Sequence, residues 1–215
     1  MKVNRFTVNA FAENVYILWD EKSHQAMVID PGMMRDGERE VVTRFIDEQE
    51  LTVSDVLVTH VHVDHVASAE WLVNHCNAHL WWPHSDCECN NRLLEQVSRF
   101  GLKLDLAPLP EANDLTPDAS LDLAGEPVKV LPMPGHSPGG VAFYCPHSSI
   151  LFSGDSIFQG SIGRTDFIGG DFVTLLHSIE TQVMTLPDDT LILAGHGAPT
   201  TVLDERRSNP FLSRH

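Results

Sequence analysis

The chain has 215 residues, of which 42% are hydrophobic and 20% charged, enough for one domain over residues 1–215 with a sizeable core. Its formal net charge of −16 argues against a nucleic-acid partner, which would need a basic face. No apolar run approaches a membrane span, and Met1 to Arg5 lead straight into an alternating pattern unlike a signal peptide.

Residues 2–8, 14–19 and 26–29 alternate as short strands of one antiparallel sheet. Asp30-Pro31-Gly32 is a turn, and residues 35–49 have helical spacing, with Val41, Val42, Phe45 and Ile46 on one face. Residues 56–58 form a short buried strand, 67–75 a helix, 79–82 a strand and 87–100 a further helix. Residues 104–126 hold Pro108, Pro110 and Pro117 among several acids and read as a loop-rich connection. Strands return at 128–131, 141–144, 150–152 and 191–193, with a helix over 172–184 before the last. Strands in both halves with helices between them fit an α+β chain whose two sheets pack face to face with helices outside, an αββα sandwich.

Four cysteines are present, Cys76, Cys87, Cys89 and Cys145. The Cys87-Glu88-Cys89 pair lacks the gap of a zinc knuckle and has no second pair to complete one, so all four read as unpaired thiols of a cytoplasmic protein.

The chemistry-bearing segment is Thr59-His60-Val61-His62-Val63-Asp64-His65, directly after the apolar run Val56-Leu57-Val58. A lone histidine beside a core is usually structural. Three histidines and an aspartate at one strand end would be costly to desolvate without a cation. Three other apolar runs end in a glycine followed at once by a donor: Gly135-His136, Gly154-Asp155 and Gly195-His196. Glycine permits the tight turn and close approach that a metal loop needs. Imidazole with carboxylate suits zinc first, with iron or manganese as alternatives. His24, His147 and His215 lie in turn-like or terminal contexts, His75 and His79 flank a helix–strand connection, and His177 lies on an amphipathic helix. His84, after Trp81-Trp82-Pro83, is a weak candidate for lining the cleft.

The pattern T-H-x-H-x-D-H, P-G-H-S-P-G, G-D and G-H-G resembles the metallo-β-lactamase superfamily over about residues 10–205. The resemblance implies the αββα fold of that superfamily and two divalent cations. His60, His62 and His136 would hold one, Asp64, His65 and His196 the other, and Asp155 would bridge them. Within the superfamily, Phe11-Ala12-Glu13-Asn14-Val15-Tyr16, Gly163-Arg164-Thr165-Asp166-Phe167 and the ending around Gly195-His196-Gly197 are most similar to glyoxalase II-like hydrolases of the hydroxyacylglutathione type. Full-length glyoxalase II carries a C-terminal helical domain with basic residues for glutathione. This sequence shows none after His196, which leaves the carrier thiol open.

The expected reaction is attack of a metal-bridging hydroxide on the carbonyl of a small-molecule thioester, with Asp64 and Asp155 orienting the water. A thiolate leaves without a strong acid because a thiol has a pKa of about 8.5. Lactonases of the superfamily often place a tyrosine after the bridging aspartate, whereas residues 156–170 contain none. A persulfide dioxygenase with one iron, which shares G-R-T-D-F, is the main alternative, and a lactonase the other. Arg164 is expected to pair with Asp166 beneath the metal loop, with a substrate clamp as its weaker reading. The acyl group and the oligomeric state stay open.

Overall fold

The computed structural model describes residues 1–212; His215 lies outside them. Strands in chain order are β1 (Lys2–Val8), β2 (Glu13–Trp19), β3 (Gln25–Ile29), β4 (Thr52–Leu57), β5 (His79–Trp82), β6 (Asn113–Asp114), β7 (Leu121–Leu123), β8 (Glu126–Pro132), β9 (Val141–Cys145), β10 (Ile150–Gly154), β11 (Ile157–Phe158), β12 (Ser161–Ile162), β13 (Leu191–Ala194) and β14 (Thr200–Thr201). Helices are α1 (Asp36–Glu48), α2 (Val63–Val66), α3 (Ala69–Cys76), α4 (Cys87–Asn91), α5 (Leu93–Arg99), α6 (Phe172–Ser178) and α7 (Val202–Ser208).

Two six-stranded sheets form, ordered β1-β2-β3-β4-β5-β6 and β14-β13-β10-β9-β8-β7. The expected antiparallel set β1-β2-β3 is there, and β4, β5 and β6 extend it in parallel. In the second sheet, β8, β9 and β10 run antiparallel and β13 adds parallel to β10. Both sheets thus couple an antiparallel meander to a parallel strand reached through a helix, α1 in one case and α6 in the other.

Three apolar layers hold the stack together. Leu18, Met27, Leu57, Phe143, Phe152 and Leu193 fill the space between the sheets. Val42, Ile46, Leu72 and Leu93 pack α1, α3 and α5 on the outer face of the first sheet. Leu175, Ile179, Val183 and Val202 cover the outer face of the second. An apolar residue fully buried in these layers is worth about 1.5–3 kcal/mol relative to exposure. Helix, sheet, sheet and helix are the four layers expected from the sequence.

Local differences from that expectation have physical causes. The helix expected over 87–100 breaks at Arg92, between α4 and α5. There the Asn90 side chain pins α4 to the connecting segment, accepting from Leu109 N at 2.7 Å and donating to Leu109 O at 3.0 Å. The strand expected over 56–58 starts earlier, at Thr52, because Asp55 accepts from Trp81 Nε1 at 2.7 Å on the neighbouring strand and so tolerates a sheet position. The connection over 104–126 contains β6 and β7. A two-residue turn, Ala124 (φ 53°) and Gly125 (φ 91°), folds β7 back on β8, as positive φ at both turn residues allows. The helix over 172–184 ends in one wide π-helical turn, Ile179–Val183. Helix α7 was not foreseen, although Thr201 caps it by accepting from Asp204 N at 3.1 Å.

No helix among the described residues is long and apolar enough to cross a membrane.

Candidate metal centre

The donors converge from four chain segments that leave the sheets at one rim. His60 and His62 follow β4, Asp64 and His65 ride on the short α2, His136 follows β8, Asp155 follows β10 and His196 follows β13. Two glycines make this convergence sterically feasible. Gly154 has φ +50°, and a Cβ there would stand 2.4 Å from Thr59 Oγ1. A Cβ on Gly195 would stand 2.3 Å from Asp155 Oδ1 and 2.7 Å from His65 Cε1, inside the cluster itself.

Ring orientation is fixed from behind. His136 Nδ1 lies 2.7 Å from the Arg164 carbonyl and His196 Nδ1 lies 3.0 Å from the Phe11 carbonyl. A carbonyl only accepts, so each Nδ1 carries the proton and each Nε2 offers its lone pair to the centre. His65 Nδ1 lies 3.0 Å from Asp30 Oδ2. Thr59 Oγ1 donates to the same Asp30 oxygen at 2.7 Å and receives His60 Nδ1 at 3.0 Å. Asp30, read from the sequence as part of a turn, therefore orients two donors at once. Its periodic context gave no sign of this, since the contacts span 29 and 35 residues.

The donor atoms form groups compatible with a metal ion: His60, His62 and His136; Asp64, His65 and His196; and His60, His65 and Asp155. His62 Nδ1 stands 3.0 Å from His136 Nε2. Asp155 lies between the groups, with Oδ1 at 3.4 Å from His65 Nε2 and Oδ2 at 3.6 Å from His136 Nε2 and 3.5 Å from His196 Nε2. Asp64 Oδ2 is 3.4 Å from His196 Nε2. His60 Nε2, His65 Nε2 and Asp155 Oδ1 are buried without a hydrogen-bond partner. Such orphaned donors on converging rings are what a cation would satisfy, so the residues fit divalent metal.

Electrostatics agrees with that fit at His60, His62 and Asp155. Burial pushes His60 well below its usual range and His62 down to about 3, with neighbouring imidazoles adding to both shifts, so these rings stay neutral and able to ligate. Asp155 is held well below the usual carboxylate range: burial opposes ionisation, but His65, His136 and His196 outweigh it. His65 is raised, because Asp155, Asp30 and Asp64 outweigh its burial. Glu13 is fully buried behind the cluster with neither oxygen partnered, and burial holds its carboxyl far above the ordinary value.

A further buried carboxylate that sequence reasoning missed, Asp86, ties together two loops that carry candidate donors. It accepts from Val61 N at 2.9 Å, between His60 and His62, and from Gly139 N at 2.5 Å, just past His136. Burial raises its pKa, while these amides act in the other direction.

Five of the donors, His62, Asp64, His136, Asp155 and His196, line a cavity of about 440 Å³ walled by Phe11, Phe100, Phe158, Ile162, Phe167 and Ile168, with Arg92, Arg99 and Arg164 at its sides. Cys89 also lines it, its thiol pushed up to about 12 by burial. Arg164 pairs with Asp166 through two hydrogen bonds, at 2.9 and 2.7 Å, but the pair is solvent-exposed at the cavity wall instead of beneath the loop. His84 packs against Trp82, ring centroids 4.5 Å apart, and is not among the lining residues. His75 stacks on Trp71, His79 faces Asp55, and His24 holds the Gln49 carbonyl, all away from the centre.

Fold and site together define a metal-binding αββα hydrolase. The chain belongs to the metallo-beta-lactamase superfamily, whose profile matches residues 8–196. It is 40% identical, over 99% of both chains, to a hydroxyacylglutathione hydrolase, GloC, of Haemophilus influenzae. Among solved structures it is similar to TTHA1623 in a di-iron-bound form, at 34% identity and TM-score 0.85 over 97% of this chain and 100% of that one. It is also similar to the B3 metallo-beta-lactamase BLEG-1, at 30% identity and TM-score 0.86 over 99% and 100% of the two chains.

Proposed function

We propose that this metallo-hydrolase cleaves thioesters of the hydroxyacylglutathione type, with two divalent cations, zinc foremost, held by the seven donors. His60 Nε2, His62 Nδ1 and His136 Nε2 would take one ion, Asp64, His65 and His196 the other, and Asp155 would reach both. Cations here supply Lewis acidity that makes water nucleophilic near neutral pH and polarises a carbonyl.

The protein's own groups do the rest. Asp64 and Asp155, kept ionised by the surrounding imidazoles, accept the hydrogen bonds that orient the attacking water. The aromatic walls exclude bulk solvent and strengthen every charge interaction at the floor. Water adds, the C–S bond breaks, and a carboxylic acid and a thiol leave.

One observation carries the choice of thioester: no tyrosine lines the cavity. Tyr16 donates to the Ala194 carbonyl at 2.7 Å in the core, and Tyr144 is buried in β9. Cys89, with its high pKa, is a poor nucleophile and a poor acid. An alkoxide leaving group wants such a donor, whereas a thiolate leaves unaided. Full-length similarity to the Haemophilus influenzae GloC supports the same reading. Metal analysis of the purified protein, with turnover of S-lactoylglutathione compared against other thioesters and a lactone, tests it. Efficient lactone or β-lactam cleavage without thioester turnover would overturn it.

A further inference from the structure

Three arginines line the cavity, and their ion pairing differs. Arg92 is ion-paired to Glu88 at 3.2 Å and Glu95 at 3.6 Å. Arg164 is neutralised by Asp166 at 2.7 Å. Arg99, the last residue of α5, has no carboxylate within ion-pair distance among the described residues; from beyond that distance its charge adds to that of Arg164 in lowering the Asp166 carboxyl. A guanidinium in the cavity wall without a direct ion pair among the described residues stands out in a chain of net charge −16.

Its placement is specific. The Arg99 guanidinium lies 5.7 Å from the Phe167 ring centroid, and that of Arg164 lies 4.6 Å from the same ring. Phe167 in turn packs edge-on against the His62 ring, centroids 5.1 Å apart. Phe167 therefore neighbours both Arg99 and His62, one of the candidate donors. Phe100, next to it, packs edge-on with Phe11 at 5.2 Å, and both rings line the cavity.

We infer that Arg99 reads a carboxylate on the carrier arm of the substrate, so that this site selects thioesters of short, carboxylate-bearing thiols. The inference rests on the proposed thioester hydrolysis. A reacting carbonyl at the donor floor places the carrier's methylenes along Phe167 and Phe100 and its terminal anion at Arg99. A guanidinium suits that role because its planar fork takes a carboxylate through two hydrogen bonds and stacks on an aromatic ring at the same time.

Two lactoyl thioesters with the same acyl group separate charge recognition from chemistry: S-lactoylglutathione, anionic, and S-lactoyl-N-acetylcysteamine, neutral. In metal-loaded Arg99→Ala, KM for the anionic ester should rise about tenfold with kcat nearly unchanged, while the neutral ester is unaffected. Arg99→Lys should recover part of the loss. Equal effects on both esters, or none on the anionic one, would overturn the inference. Calorimetric binding of S-methylglutathione reads Arg99 without turnover. If wild type hydrolyses neither ester, the proposed function fails, and the inference is then decided by this binding. Binding weakened by Arg99→Ala upholds it; binding absent from wild type, or indifferent to the substitution, defeats it.

Discussion

Asp30 Oδ2 stands 3.0 Å from His65 Nδ1, both side chains buried, and the same oxygen accepts from Thr59 Oγ1 at 2.7 Å. One carboxylate thereby sets the tautomers of His65 directly and of His60 through Thr59. Such outer partners typically account for 10–100-fold in metal affinity. Asp30→Ala should accordingly weaken metal binding by about 10–100-fold in chelator competition, with Asp30→Asn intermediate because one acceptor oxygen survives. Unchanged affinity in Asp30→Ala would mean that the rings are held by packing alone.

Asp155→Ala tests the proposed bridge. Its two oxygens face His65 on one side and His136 and His196 on the other. The variant should stay folded by circular dichroism, lose much of its bound metal and show no measurable turnover. Full activity would remove Asp155 from the chemistry.

His196→Ala separates a two-metal hydrolase from a one-iron dioxygenase. His196 belongs with Asp64 and His65, whereas His60, His62 and His136 form a complete group without it. For the hydrolase, elemental analysis should find about one metal per chain and most thioester turnover gone. Iron-dependent oxygen uptake with a persulfide, surviving the substitution, would favour the dioxygenase.

Asp86→Ala should destabilise the protein without touching a donor. It removes the acceptor shared by Val61 N and Gly139 N and leaves both amides buried. The cost should be about 2–3 kcal/mol in denaturant unfolding of the metal-free protein, with weaker metal retention as the loops around His60 and His136 loosen. A loss within experimental error would show that the loops are held elsewhere.

Gly195→Ala should damage the centre more than the fold. Its Cβ would collide with Asp155 Oδ1 and His65 Cε1, while the backbone at 195 does not need positive φ. A near-native melting temperature with sharply reduced metal content is the expected pair of readings.

The candidate donors could be picked out of the sequence because they cluster past the ends of apolar strands, and the run from Thr59 to His65 packs four of them within six residues. A short-range pattern of that kind survives without coordinates, as does the period-2 and period-3.6 alternation that marked most strands and helices. The parallel additions β4 and β13, the break at Arg92 and the hairpin at Ala124-Gly125 were not legible, because each is decided by contacts between segments remote in sequence or by turn dihedrals. The same holds for the groups around the donors. Asp30, Asp86 and Glu13 look in sequence like ordinary turn, loop and strand acids. Only folding brings Asp30 to His65, puts Asp86 between one loop 25 residues before it and another 53 residues after it, and leaves Glu13 buried behind the cluster. Arg99 is likewise a helix-end cation until the tertiary structure sets it beside Phe167 in the cavity wall. Sequence fixes which atoms can ligate and where strands can end. The orientation of each ring, the neutrality of each charge and the shape of the cavity depend on long-range burial and hydrogen bonding, which exist only once the two sheets have closed.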